Sequence, residues 1–123
     1  MRILSIDVGV KNCAFYIEEF DERKLTAENF YTAGTRKYWK LVNFQGGDVF
    51  VKMTAFLDSN RRHFDACNGI IIEKQLKVNY SAQIVQHFLT SYFRVLYGPF
   101  KYISDISATR KTQVLHAPAS FVG

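Results

Sequence analysis

The chain has 123 residues, of which 48% are hydrophobic and 15% aromatic, and its formal net charge is +5. This length suits one domain, 1–123, with one core, and the apolar content excludes an intrinsically disordered chain. No apolar run reaches the length of about eighteen residues that a membrane helix needs, and no secretory leader precedes the first predicted strand, so we expect an intracellular protein with no membrane partner.

The positive charge is concentrated in the second half of the chain. Residues 1–60 hold eight basic and eight acidic residues, whereas residues 61–123 hold eight basic and three acidic ones. This excess favours a polyanionic partner such as nucleic acid, with a merely solubilising surface as the alternative.

Cys13 and Cys67 form no CxxC motif and have no histidine at ligand spacing. They therefore predict free thiols in a reducing compartment such as the cytoplasm.

The first half of the chain predicts an antiparallel meander followed by a helix. Residues 2–7 (RILSID) form a short buried strand, and 13–20 (CAFYIEEF) is rich in β-formers. A turn leads to a predicted partner strand over 25–33, whereas 36–47 is ambiguous, a loop with at most a short strand. Asp48 can cap a helix with apolar residues at helical spacing that ends near residues 62–63.

The second half predicts strand–helix–strand crossovers. Residues 69–73 (GIIIE) form a second buried strand, Ser81 can cap a helix over 82–97, and Gly98-Pro99 ends that helix. Residues 100–107 form a further core strand. The order β-β-β-α-β-α-β predicts an α/β fold, a mixed sheet with helices packed on it and parallel crossover strands.

Two acidic residues end the two most apolar strands. Asp7 follows Ile6, and Glu73 follows Ile72. If these strands are parallel neighbours, both carboxylates lie at the edge where ligands of α/β sheets gather, and Mg²⁺ is the cation that such oxygen ligands bind. Either residue alone could simply mark where the chain leaves the core. Together they favour a metal site that acts on phosphodiesters.

The same two segments carry a family resemblance. SIDVGVKNCAF followed by IIIEKQ resembles the RuvC-type Holliday junction resolvases of the RNase H-like superfamily, most closely the branch of poxviruses, other large DNA viruses and fungal mitochondria. The likeness extends from residue 1 to about residue 111. The matching positions are Asp7, Gly9, Lys11, Asn12, Glu73, Lys74 and Gln75. The opening DVG also occurs in actin-like ATPases, but no second glycine-rich phosphate loop accompanies it here.

The resemblance implies a dimeric, Mg²⁺-dependent endonuclease that nicks four-way DNA junctions symmetrically, with Mn²⁺ as a substitute metal. Asp7 and Glu73 match the first two metal-binding, catalytic acids of the family. Lys111 is the best match to a catalytic lysine of the family, with Arg110 as an alternative. A lysine there could stabilise charge that develops on the phosphate, or it could be a solvated surface residue.

The chain departs from the family after residue 73. Resolvases of this type end in a helix with two further acids in an Asp-x-x-Asp arrangement, whereas Asp105 is the one acid that follows Glu73 here. We expect Asp105 to be an exposed strand residue that does not point to the metal edge. Three explanations are open: a C-terminally truncated resolvase, a relative that binds branched DNA without cutting it, or a partner that supplies the missing ligands.

Further residues are candidates for contacts with DNA or with a second subunit. Lys11, Lys74 and Lys77 should lie near the acidic edge, and Tyr80 could stack on a splayed base. The alternatives are solvated loop lysines and a tyrosine that packs under its helix. The helix 82–97 carries two apolar stripes, of which one can pack on the sheet. The other predicts a homodimer, in line with the family, or a further intramolecular contact.

Overall fold

The protein is described here from a computed structural model for residues 1–21, 34–75 and 79–106. The expected strand over 25–33, as well as Lys77 and Lys111, lie outside these residues. The described strands are β1 (Arg2–Asp7), β2 (Cys13–Glu19), β3 (Thr35–Val42), β4 (Gly69–Glu73) and β5 (Tyr102–Ile106). The described helices are α1 (Val49–Ser59), α2 (Arg61–Asp65) and α3 (Tyr80–Tyr97), followed by a 3₁₀ turn over Gly98–Phe100.

The five described strands form one mixed sheet in the order β3-β2-β1-β4-β5. β2 lies antiparallel to β1 and β3, whereas β4 lies parallel to β1 and β5. The predicted α/β architecture is therefore confirmed. The parallel pairing of β1 with β4 decides the site, because it brings the carboxyl ends of the two most apolar strands together.

The two faces of the sheet carry different cores. One face, called the helix face below, carries Leu4, Ile6, Ile70 and Ile72, which pack in one cluster with residues of α1 and α3. The opposite face, called the far face, carries a smaller buried cluster of Ile3, Phe20, Ile71 and Ile106. Because side chains alternate along a strand, each residue is assigned to one face by its position and its paired residue, with one register shift in the β2–β3 pair at Ile17/Glu18.

The assignment of 36–47 as mainly loop was wrong, because Thr35–Val42 forms the eight-residue strand β3. Tyr38 is the one buried residue of this strand, and its hydroxyl donates to Asn60 Oδ1 at 2.9 Å. The strand lies at the edge of the described sheet, so most of its side chains face solvent. An edge strand of this kind lacks the alternation of apolar and polar residues by which strands are identified in a sequence.

The helix boundaries are confirmed in part. The side chain of Asp48 accepts hydrogen bonds from the backbone N–H groups of residues 50 and 51 and caps α1, as predicted. α1 ends earlier than expected, at Ser59, and the short α2 follows it. Asn79, not Ser81, caps α3, with its side chain accepting from the backbone N–H of residue 82. Gly98, with φ of 56°, ends the helix at the predicted place.

Cys13 and Cys67 are free, buried thiols, as predicted. Burial raises the pKa of each thiol from 9.0 to about 11. Among the described residues, no helix is both long and apolar enough to cross a membrane.

Candidate active site

Asp7 and Glu73 are neighbours at one edge of the sheet, as the sequence predicted. The paired residues Ile6 and Ile72 immediately precede them on the parallel strands β1 and β4. Both isoleucines point to the helix face, so the two acids point together to the far face. Neighbouring strands lie about 4.8 Å apart, which places the two carboxylates close to each other. Both acids are half-buried.

A tyrosine of the adjacent strand holds Asp7. The Tyr16 hydroxyl donates to Asp7 Oδ2 at 2.8 Å. Burial, this hydrogen bond and the charges of Asp7 and Glu73 all raise the pKa of Tyr16, so the phenol stays protonated and remains a donor. In the described part of the chain, the other Asp7 oxygen accepts no hydrogen bond and Asp7 forms no ion pair. That oxygen is therefore available to a cation.

A tight turn carries the chain away from Asp7. A Cβ atom on Gly9 would lie 2.5 Å from the backbone oxygen of Asn12, so a side chain does not fit at this position. The carbonyl of Val10 then accepts from the backbone N–H of Phe44 at 2.8 Å, which ties the turn to the segment before α1. The close approach within this turn explains the glycine two residues after Asp7.

A buried glutamine supports the segment after Glu73. Gln86 of α3 is 2% exposed, and its Oε1 accepts from the backbone N–H of Gln75 at 2.8 Å. Its Nε2 donates to Asp105 Oδ2 at 2.8 Å. The Gln75 side chain in turn donates to the carbonyl oxygen of Glu73 at 3.1 Å. These bonds fix the backbone at the end of β4 against the helix.

Asp105 does not belong to the acidic edge on the far face. It pairs with Ile72 in the register of β4 and β5, so its side chain points to the helix face, where Gln86 binds it. It is half-buried, so the expectation of an exposed residue was wrong, whereas the expectation that it does not point to the metal edge is confirmed. The described residues contain no group of three or more potential metal ligands.

The donor set fits a hard cation of the magnesium type. Mg²⁺ binds proteins through one or two carboxylates and takes its remaining ligands from phosphate and water. Asp7 and Glu73 provide two carboxylates on one face, and the described part of the chain places no cationic side chain in an ion pair with Asp7. A pair of ions would need more acidic ligands than these two.

The predicted DNA-contacting residues that the structure describes lie near this edge. Lys11 lies in the turn after β1, Lys74 directly follows Glu73, and both are exposed. Tyr80 is the first residue of α3 and is 72% exposed, so the alternative that it packs under the helix was wrong. The structure thus brings two cations and one aromatic ring to the end of the sheet that carries the acids.

Sequence reasoning missed Tyr16 and Gln86. Tyr16 could have been found from the hairpin register, since it pairs with Ser5 and therefore shares a face with Asp7. Gln86 lies among buried residues of α3 at helical spacing, namely Ala82, Val85, Leu89, Thr90 and Phe93. A polar residue on a buried helix face signals a specific hydrogen-bond partner.

Two viral proteins are similar to part of the chain. Uncharacterized protein 97L of Invertebrate iridescent virus 3 is 32% identical over 71 residues, and uncharacterized protein 170L of Invertebrate iridescent virus 6 is 29% identical over 72 residues. Each match covers 58% of this chain, but 34% of the first relative and 29% of the second. The chain thus spans about a third of the length of these relatives. No family model matches it.

Solved resolvase structures share the fold. The fowlpox virus Holliday junction resolvase has a TM-score of 0.57 at 17% identity, over 90% of this chain and 68% of that one. Thermus thermophilus RuvC in complex with a Holliday junction substrate has a TM-score of 0.64 at 10% identity, over 99% and 74%. The yeast mitochondrial Holliday junction resolvase has a TM-score of 0.51 at 14% identity, over 98% and 60%. The chain therefore has the RNase H-like fold of the RuvC-type resolvases.

Proposed function

We propose that this chain is the core of a structure-selective endonuclease that resolves four-way DNA junctions by metal-dependent hydrolysis of phosphodiesters. The observation that carries the proposal is the pairing of Asp7 with Glu73 on one face, at the carboxyl ends of two parallel strands. The fold is that of solved Holliday junction resolvases, one of them in complex with its junction substrate, which supports branched DNA as the substrate class.

Asp7 and Glu73 would hold Mg²⁺, or Mn²⁺ in its place. When bound, the cation would polarise the scissile phosphate and lower the pKa of a water ligand. Tyr16 donates a hydrogen bond to Asp7 and thereby fixes the orientation of that carboxylate. Gln86 holds the backbone after Glu73 and so positions the second carboxylate. Lys111 stays the proposed catalytic lysine.

Lys11, Lys74 and Tyr80 would bind the DNA, with Lys77 as a further candidate. Branched DNA is recognised mainly through its shape and its phosphates, for which exposed lysines at the acidic edge are suitable. The exposed ring of Tyr80 offers a stacking surface for a base that leaves the helix at the branch point.

A homodimer that forms through α3 would have two Asp7–Glu73 sites, one for each of the two symmetric strands of a junction. Val85, Leu89 and Phe93 of α3 are buried against the sheet, whereas Ile84 is partly exposed and Val95 is 87% exposed. A groove of about 330 Å³ runs between α1 and α3 beside Val95. A second copy that packs on this face would bury the apolar stripe that the sheet leaves uncovered.

A second function has a specific observation in its favour. In the described part of the chain, Asp7 and Glu73 are the two carboxylates of this edge on the far face, and no group of three metal ligands occurs. A site with two acids binds metal weakly. The alternative is therefore a protein that binds branched DNA without cutting it.

One assay separates the two functions. A synthetic four-way junction is incubated with the protein in Mg²⁺ or Mn²⁺, and nicking and binding are measured on the same DNA. Symmetric nicks that disappear in Asp7→Asn, while binding persists, support the endonuclease. Binding without nicks supports the non-cutting relative. If the junction does not bind more tightly than a duplex of the same length, both functions are wrong.

A further inference from the structure

A large aromatic residue on β3 has no role in the site described above. Trp39 is the one tryptophan of the chain and is 51% exposed, and Leu41, two residues on, is exposed to a similar extent. Neighbouring Tyr38 is buried on the helix face, so Trp39 and Leu41 point to the far face. Within the described residues Trp39 makes no contact with another aromatic ring. Tryptophan is usually well buried, so an exposed one indicates a surface that binds something.

The sheet register connects this residue to the acidic edge. Trp39 pairs with Tyr16, and Tyr16 donates its hydroxyl to Asp7. Leu41 pairs with Ala14, which pairs with Asp7. Trp39 therefore lies on the same face as the acids and two strands away from β1, which is about 10 Å. That distance corresponds to about three nucleotide steps of a stacked DNA strand.

The charge around Trp39 identifies the kind of ligand. β3 contains Arg36, Lys37 and Lys40, which are exposed, and no acidic residue. Lys37 pairs with Glu19 at 3.2 Å, whereas Arg36 and Lys40 form no ion pair within the described part of the chain. Arg36 pairs with Glu18, which follows the helix-face residue Ile17, so Arg36 shares the far face with Trp39. Lys40 pairs with Phe15 and points to the helix face. An exposed aromatic ring with a cation on the same face complements a nucleic-acid strand, whose phosphates alternate with bases that stack on such a ring.

We propose that Trp39 is a stacking site for an unpaired base of branched DNA, within about three nucleotides of the phosphate at the Asp7–Glu73 edge. Arg36, on the same face, neutralises an adjoining phosphate. The inference rests on the proposed function, because it takes branched DNA as the ligand. It also explains why the protein would prefer a junction to a duplex. A junction that opens at its branch point offers an unpaired base to Trp39, whereas a fully paired duplex offers none.

The single tryptophan makes the test direct. A dye-labelled four-way junction is titrated with the protein in EDTA, so that no strand is cut, and dye anisotropy and tryptophan emission are recorded together. We expect Trp39 emission to be quenched with the same midpoint as the anisotropy change. Trp39→Ala should weaken junction and single-strand binding by about 5- to 100-fold and leave duplex binding unchanged.

Phe100 supplies matched controls. It is 90% exposed and lies beside the start of β5, at the end of the sheet opposite the acids. Phe100→Ala should bind the junction like the unmodified protein. The double variant Trp39→Phe, Phe100→Trp moves the tryptophan to the opposite end of the sheet. As this variant binds the junction, its tryptophan emission should stay constant while the dye anisotropy still rises.

The outcomes distinguish failure of this inference from failure of the proposed function. If the junction binds but Trp39 emission is constant and Trp39→Ala binds normally, the stacking site is wrong and the proposed function stands. If Trp39 emission changes with protein concentration in the absence of DNA, a second copy covers the residue and the inference is wrong. If no junction binds at all, the proposed function fails and the stacking site with it.

Discussion

The carboxyl edge of the sheet has acidic residues on both of its faces, and the acids of the two faces differ in their hydrogen-bond partners. On the far face, Glu73 lies beside Asp7, and Asp7 accepts a hydrogen bond from one tyrosine hydroxyl. Its second oxygen accepts no hydrogen bond from the residues that the structure describes. On the helix face, Asp105 accepts a hydrogen bond from the buried amide of Gln86. Glu73 and Asp105 lie on neighbouring strands and differ in register by one residue. That single step places one acid at the candidate metal site and gives the other a structural partner.

The comparison teaches that the position of an acid along a strand matters as much as its distance from another acid. β4 and β5 are adjacent, so a search by proximity alone would group Asp105 with the acidic pair. The pleat separates them, because successive side chains point to opposite faces. Substitutions on the two faces should therefore have different effects, which are given below from the largest to the smallest, together with the effect of the buried thiols.

The first prediction compares Glu73→Gln with Asp105→Asn in junction nicking. Loss of a carboxylate that holds the metal should remove several kcal/mol of transition-state stabilisation, so Glu73→Gln should nick at least about 100-fold more slowly. Asp105→Asn should keep a rate close to that of the unmodified protein, because the asparagine oxygen can still accept from Gln86. Equal losses in the two variants would show that the faces are not functionally distinct.

The second prediction concerns the glutamine behind Asp105. Gln86→Leu removes the partner of both the Gln75 backbone N–H and the Asp105 carboxylate. We expect the free energy of unfolding in urea to fall by about 2 to 3 kcal/mol, since polar groups left without partners each cost roughly 1 to 3 kcal/mol. Gln83→Leu, on the same helix, is the matched control and should change stability much less. A stable Gln86→Leu variant would contradict the supporting role.

The third prediction concerns the buried thiols and alkaline pH. Folding raises the pKa of Cys13 and Cys67 from 9.0 to about 11, so the unfolded chain loses these protons first as the pH rises. The free energy of unfolding should be unaffected by the thiols below about pH 9 and should fall between about pH 9 and pH 11, by roughly 2 to 3 kcal/mol for each thiol. In the double variant Cys13→Ala, Cys67→Ala, the free energy of unfolding should fall less steeply between about pH 9 and pH 11. If it falls as steeply as in the unmodified protein, the prediction is wrong.

The smallest expected effect comes from Tyr16→Phe on the far face. It removes the hydrogen bond to Asp7 Oδ2 and leaves both acids in place. The Mn²⁺ concentration for half-maximal nicking should rise by about tenfold, as is typical for loss of a residue that orients a metal ligand. Tyr38→Phe removes a hydroxyl that is bonded to Asn60 on the helix face and should leave this concentration unchanged.

The sequence was sufficient to predict the strands that bury continuous apolar runs. β1, β4 and α3 were identified because isoleucine runs and helical spacing are strong local signals, and the acids at the strand ends follow from them. β3 was missed because Trp39 and Leu41 are exposed apolar residues, so the strand does not alternate between buried apolar and exposed polar positions. The partners Tyr16 and Gln86 depend on hairpin register and on the packing of α3, which are tertiary features that no local pattern encodes. The face of Asp105 depended likewise on the register of β4 and β5.

The most direct test of the central claim is to locate bound metal by NMR. Paramagnetic Mn²⁺ is titrated into the isotopically labelled protein, and the broadening of backbone amide signals is mapped. We predict broadening centred on residues 7–9 and 73–74, with the amino ends of β1, β4 and β5 unaffected, and its loss in Asp7→Asn but not in Asp105→Asn. Broadening that is centred elsewhere, or that persists in Asp7→Asn, would contradict the claim that the Asp7–Glu73 pair holds the metal.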